Sequence, residues 1–309
     1  MSLDVALPVI LTIISAATPL LLAGIGELVV ERSGVLNLGV EGMMLAGAVT
    51  AFGVTFLTGS HALGIVTAAL AGLLLALIFA LLTLTLVSNQ VATGLALTLF
   101  GLGLSALAGS GFVGSPIAPL PKLALPGLTS IPFLGPILFG QDVLVYLSVL
   151  LTLGVWWFLK RTRAGMVLRA CGDSDVSAHS IGYDVIKIRY LAVLFGGAMS
   201  GLAGAYLSLA YTPMWVEHMT AGRGWIALAL VVFASWRPLR LLAGAYLFGG
   251  VSILQLYVQG MGGIGVPAQA MSMLPYLATI VVLTIISAGA GRRRLDAPAC
   301  LGKPFRPAT

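Results

Sequence analysis

Charge is scarce in this chain of 309 residues: Asp, Glu, Lys and Arg together make up 8%, against 59% hydrophobic residues. A soluble domain carries roughly 25% charged residues, so a water-covered surface is excluded for a protein of this size. Cysteine is equally scarce. Cys171 and Cys300 are the only two; both fall in segments assigned below to the cytoplasmic side, where no disulfide is expected. No G-x-x-x-x-G-K-[ST] phosphate loop occurs, the sole Gly-Lys pair being Gly302-Lys303, so hydrolysis of ATP by that route is excluded for the chain alone. There is no H-E-x-x-H, no paired cysteine cluster and no Ser/His/Asp set. His61, His179 and His218 lie far apart. Neither an enzyme nor a metal site is expected, and the few ionisable groups inside apolar runs argue against a proton relay.

Long apolar runs are what the sequence does have, near 5–28, 36–57, 62–87, 91–110, 142–159, 190–212, 223–235, 241–258 and 271–289. Most reach the ~20 residues that a bilayer-spanning helix needs. Hydrocarbon offers no partner to an open backbone, so the runs are helices, and the alternation of a membrane barrel is missing. The expected fold is all-α: a polytopic transmembrane bundle of about nine spans, with 223–235 short enough to be a half-helix. Met1-Ser2-Leu3-Asp4 lacks the positive start of a secretory signal, so the first run is expected to stay in the membrane. Placing the N-terminus outside and the C-terminus inside puts 29–35, 88–90, 160–189, 236–240 and 290–309 in the cytoplasm. All but Lys122 and Arg223 of the 16 basic residues then face inward, as positive charge in membrane proteins does. The same topology explains the net charge of +6 without a nucleic-acid partner. Residues 1–290 form one membrane domain. Within it, 111–141 is a Pro- and Gly-rich external loop and 160–189 a polar cytoplasmic one. The stretch 291–309 reads as a basic, disordered cytoplasmic tail near anionic lipid. Leu-Ala-Gly-Ala recurs at 45–48, 202–205 and 242–245, a weak echo of the duplicated halves common in transporters.

Three stretches interrupt the apolar pattern. In the first, from Gly26 to Met44, Glu27, Glu31, Glu41 and Asn37 break two apolar runs. Each charge at mid-bilayer would cost about 2.5–3.5 kcal/mol, so these groups should face a cavity, a partner or the interface. Asn37 and Glu41 are spaced i, i+4, the spacing of one helix face. They read either as the wall of a substrate path or as a polar lock between helices, and Gly34, Gly39 and Gly42 favour an unwound or close-packed stretch. The second runs from Gly165 to Asp184. There Asp173 or Ser174 is placed to cap a helix, Asp175 to meet its positive end and Gly182 to close it. The third runs from Met214 to Trp225, where Glu217 and Arg223 are placed to pair at the outer mouth and the aromatics either stack on a flat ligand or form an interfacial belt.

Glu31-Arg32-Ser33-Gly34-Val35-Leu36-Asn37-Leu38-Gly39-Val40-Glu41-Gly42-Met43-Met44 resembles the signature of ABC importer permeases of the branched-chain amino acid/ribose-type superfamily, nucleoside and simple-sugar branch. Met219–Ala229 and Arg189–Ala198 are similar to the same branch. The coupling region matches more loosely: the family shows an Ala-Ala pair before Gly-Ile or Gly-Val, where this chain has Ser177-Ala178 before Gly182-Tyr183. The resemblance implies a transport subunit of a bacterial cytoplasmic membrane, binding no cofactor itself. ATP would be used by a separate ATPase docked on the inner face, beside a second homologous permease and an extracytoplasmic binding protein or lipoprotein. It implies a substrate path near Asn37, Glu41, Asn89, Gln90 and Thr93, an external gate at Glu217 and Arg223, and ATPase coupling through Asp173, Ser174, Asp175, Ala178, Ile181 and Gly182. Nucleosides or purine bases are the expected cargo, ahead of ribose-type sugars and then branched-chain amino acids. The rival from another class is an ion-coupled transporter working alone, for which Glu41 is the strong candidate ion site.

Overall fold

The computed structural model describes residues 3–123, 131–260 and 297–306, with positions 129, 273, 277, 280, 281 and 284 besides. Eleven α-helices order these residues: α1 Leu3–Arg32, α2 Val40–Thr58, α3 His61–Ala80, α4 Gln90–Gly109, α5 Leu134–Phe139, α6 Val143–Arg161, α7 Arg163–Asp173, α8 Asp175–Ser180, α9 Val185–Tyr206, α10 Arg223–Phe233 and α11 Pro238–Gly260. Single π-helical turns extend α3 over Leu81–Thr85 and α9 over Leu207–Tyr211. Among the described residues there are three isolated β-bridges and no strand.

Among the described residues, seven helices are long and apolar enough to cross a membrane: α1, α2, α3, α4, α6, α9 and α11. With 11 residues, α10 is about 16 Å long at 1.5 Å per residue, roughly half of a 30 Å hydrocarbon core. The run 223–235 is thus a half-helix. Of the nine expected runs, seven are full-length helices and this one a half-span among the described residues, while the run 271–289 falls largely outside them. The chain is a multi-pass membrane protein.

Helix α9 is the hub, packed by α1, α2 and α3. Glycine lets the backbones touch: a Cβ on Gly201 would lie 2.1 Å from the Ala68 carbonyl of α3, and one on Gly47 of α2 would lie 2.4 Å from the Gly201 carbonyl. Small residues at a helix contact are how helices gain dispersion energy where lipid supplies no hydrophobic drive. Two of the three Leu-Ala-Gly-Ala copies meet here, since Gly204 of α9 abuts the Met44 carbonyl and the Ala48 amide of α2. The outer helices show apolar exposed faces, such as Leu70 and Leu74 on α3, Leu99 and Leu107 on α4 and Leu150 on α6.

Polar residues start several of the helices. Asn89 caps α4 through Ala92 N (3.0 Å), and Asp142 caps α6 through Leu144 N (2.9 Å) and Val145 N (3.1 Å). Asp184 caps α9 through Lys187 N (3.0 Å). Such caps each stabilise a helix by about 1 kcal/mol.

The two ends of the bundle differ in charge. At one end, the His61 ring bonds the Ala118 carbonyl (2.8 Å), Ile117 N donates to Pro213 O (3.1 Å), and the backbones of Lys122 and Asp142 form an isolated antiparallel β-bridge. That end holds Lys122 and Arg223. At the other, Arg32 holds the Trp236 carbonyl, Leu36 meets Gln90, and Cys300 meets Gly172. The remaining described cations gather there.

Candidate functional site: the return loop and the elbow

Helix α1 ends at Arg32 because Ser33 and Gly34 turn the chain; Gly34 has φ +92°, a left-handed conformation that glycine alone adopts without strain. A Cβ there would come within 2.8 Å of Arg189 Nη2. Residues 33–39 then form a return loop that begins α2 at Val40. Asn37 lies in that loop and not on a helix, so it does not share a helix face with Glu41, contrary to the i, i+4 reading. Glycine at 34 and the Asn37 side chain, which accepts from Gly39 N (2.9 Å), divert the chain before the helix starts.

Every side of the loop is tied. Glu27 Oε1 accepts from Asn37 N (3.1 Å), Gln90 Oε1 accepts from Leu36 N (2.8 Å), and Thr98 donates to Leu38 O (2.9 Å). Glu31 Oε2 accepts from Trp236 Nε1 (2.5 Å), and the Arg32 guanidinium donates to Trp236 O (3.0 and 3.1 Å). The first motif is therefore a junction joining α1, α2, α4 and the α10–α11 turn.

Glu41, almost fully buried, has both oxygens engaged. Oε1 accepts from Thr220 Oγ1 (2.5 Å) and Gly222 N (2.8 Å), and Oε2 accepts from Gly224 N (2.6 Å). A carboxylate thus sits on the positive end of the half-helix α10, satisfying amides that have no intrahelical partner. It also holds the turn in which His218 and Ala221 adopt positive φ. Of the two readings of Glu41, this geometry is that of a helix-to-helix lock. The other path candidates separate: Gln90 is buried against the return loop, Asn89 is exposed as the α4 cap, and Thr93 bonds Ser88 (2.9 Å).

The expected Glu217–Arg223 pair does not form. Glu217 is exposed, and the Arg223 guanidinium donates to Met219 O (3.1 Å) and Thr220 O (3.2 Å) and stacks on Tyr211 at 5.2 Å. The tight turn at 220–222 presents its carbonyls to Arg223 before Glu217 comes within reach. Trp215 is fully buried against Phe52, Ala48 and Val49, so it is a packing residue and no ligand platform.

At the charged end, Thr162 and Ser174 cap α7 and α8, accepting from Gly165 N (3.0 Å) and Ser177 N (3.3 Å). Ser174, not Asp173, is the cap of α8; Asp173 ends α7. Gly182 closes the elbow at φ +91°. Asp175 and Ala178 face inward. Asp175 pairs with Arg189 (3.1 Å), whose Nε also donates to Ser33 O (3.0 Å). Arg189, 1% exposed, therefore joins the elbow to the return loop, a role that sequence reading missed. Its signal was a cation near the start of an apolar span. Val176 and Ile181 are 70% and 71% exposed, an apolar pair on the elbow; Ile181 was expected there and Val176 was missed.

Residues 297–306 are not a free end. Cys300 N donates to Gly172 O (2.9 Å), Gly302 N donates to Gly34 O (3.1 Å), and Phe305 lies edge-on to His179 (5.6 Å) and under Arg189 (5.8 Å). This strap covers the same junction. Beneath it Cys171 is buried and its thiol pKa is pushed up by desolvation, against the lowering influence of Arg189.

A family model described as the permease component of branched-chain amino acid transport systems matches residues 9–284. The chain is 45% identical to the putative glucose ABC transporter permease protein TsgC13 of Haloferax volcanii, over 93% of this chain and 94% of that protein. It is 32% identical to the guanosine ABC transporter permease protein NupQ of Bacillus subtilis, over 94% and 93%. It is 30% identical to the nucleoside ABC transporter permease protein NupC of Lactococcus lactis, over 87% and 89%. A bundle of membrane-length helices, a half-helix capped by a buried carboxylate and a match along nearly the whole chain agree: this protein belongs to the family of branched-chain amino acid-type ABC transport permeases and is the membrane-spanning permease subunit of an ABC importer.

Proposed function

We propose that this permease carries an uncharged, sugar-bearing solute, a nucleoside in the first reading, by alternating access driven from the α7–α8 elbow. The observation that carries the coupling half is the continuous link from exposed Val176 and Ile181 through Asp175 and Arg189 to the return loop at Ser33. An ATPase subunit docks over Val176 and Ile181 and moves the elbow; Arg189 passes that displacement to the α1–α2 junction. The elbow faces the cytoplasm and the N-terminus faces out, because cations concentrate on the cytoplasmic side. A second homologous permease completes the pathway, and an extracytoplasmic binding protein delivers the solute. The membrane is the cytoplasmic one, in a bacterium or an archaeon.

Two carboxylates support the neutral reading: Glu31 and Glu41 are engaged by protein donors, which leaves neither to neutralise a cationic substrate. The same engagement disfavours Glu41 as the ion site of a secondary transporter. Asn89 and Thr93, at the start of α4, are the remaining pathway candidates, with Asn37, Gln90 and Glu41 holding the frame around them. A monosaccharide is the second reading, favoured by the 45% identical relative named for glucose. Uptake of radiolabelled guanosine and glucose, each challenged with the other unlabelled, decides between them in cells with and without this chain. Loss of guanosine uptake on deletion is expected. Loss of glucose uptake alone would move the assignment to the sugar, and loss of neither would overturn both.

A further inference from the structure

At the charged end, a cavity of about 420 Å³ opens between the last turns of α1 and α6, helix α7, and the first turn of α11. Five cations line it: Arg32, Lys160, Arg169, Arg237 and Arg240. No carboxylate is among its described lining residues. Two donors in the wall, Arg169 Nε and Trp156 Nε1, are buried without a hydrogen-bond partner. Buried donors left unmet in this way each cost about 1–3 kcal/mol, which an anionic acceptor in the cavity would recover, and Lys160, Arg169 and Arg240 add positive charge along the same wall. The remaining wall is apolar, with Leu159 and Leu239 beside Trp156.

The level of the cavity narrows the class of anion. Its walls are the ends of full spans, where hydrocarbon gives way to headgroups, and Trp156 stands where interfacial tryptophans anchor. An apolar side for glycerol and acyl chain next to a cationic side for phosphate is the arrangement that binds acidic lipid heads. We infer that this cavity is a binding site for the phosphate headgroup of an anionic glycerophospholipid. Arg169 belongs to α7, so the bound lipid would brace the coupling elbow against the membrane. This site is independent of which solute the permease carries.

The test uses the full chain, purified and mixed with phosphatidylglycerol and phosphatidylcholine, with bound lipids counted by native mass spectrometry. Phosphatidylglycerol is expected to be retained preferentially. Lys160 and Arg240 are exposed, so Lys160→Gln/Arg240→Gln should leave the fold intact. Each cation contributes about 1 kcal/mol, so the pair should weaken phosphatidylglycerol binding about thirtyfold. Arg163→Gln/Lys187→Gln, two exposed cations outside the cavity, should leave it unchanged. Equal retention of both lipids by the unsubstituted chain would overturn the assignment, as would equal weakening by the two variant pairs. Displacement of phosphatidylglycerol by excess inorganic phosphate would overturn the lipid in favour of a soluble phosphate.

Discussion

Breaking the Asp175–Arg189 pair separates stability from coupling. Arg189 is 1% exposed, and its carboxylate partner among the described residues is Asp175 at 3.1 Å. Asp175→Ala leaves a buried cation without its counter-charge, a loss of about 3–5 kcal/mol. The double variant Asp175→Ala/Arg189→Met removes the stranded charge as well. What remains lost is the bond that Arg189 donates to Ser33 O and the bond that Val176 N donates to Asp175 Oδ1 (2.9 Å), about 1 kcal/mol each. The double variant should therefore be more stable than the single one by a few kcal/mol, read as a higher thermal midpoint in detergent. Its nucleotide-driven uptake should nevertheless stay well below that of the parent, since the elbow no longer grips the return loop. A double variant no more stable than the single one would refute the buried-pair reasoning, and uptake at the parent rate would refute the coupling role.

Glu41→Ala strands three donors at the start of α10 and should destabilise by about 3 kcal/mol or more, with Glu41→Gln restoring part of it; a normal melting point with lost uptake would return Glu41 to the substrate path. Gly34→Ala imposes a left-handed φ on a residue with a Cβ and crowds Arg189, so it should lower stability by about 1–3 kcal/mol, which denaturation of the purified variant would report. A membrane-impermeant maleimide should label half-buried Cys300 in inside-out vesicles and spare buried Cys171. Labelling of Cys300 from the outside of intact cells would reverse the orientation. Val176→Ser/Ile181→Ser should leave the melting point unchanged and abolish uptake, and retained uptake would move the ATPase contact elsewhere.

The spans were legible because lipid imposes one rule on every residue that crosses it, and a half-span betrays itself by length alone. The Ser174 cap was legible for the same local reason, since it acts on an amide three residues away, whereas Asn89, read as a path residue, and Asp184 were not recognised as caps. Long-range ties were not legible. Nothing in the spacing of Glu41 and Gly224 announces contact across 183 residues, and Arg189 reads as an ordinary interfacial cation until its span is packed against α1. The Glu217–Arg223 expectation failed because a turn's own carbonyls competed for the guanidinium. The strap at 297–306 was read as free because basic, proline-containing ends are usually solvated, yet Phe305 finds a seat over Arg189 and His179.

Solute uptake into proteoliposomes tests most directly whether force reaches this permease from a separate motor through the elbow. The chain is reconstituted with its companion permease and binding protein, with and without the ATPase subunit and internal ATP. Uptake is expected only when both the ATPase and ATP are present. Uptake at an equal rate with neither would contradict the driven mechanism and leave a carrier that works alone.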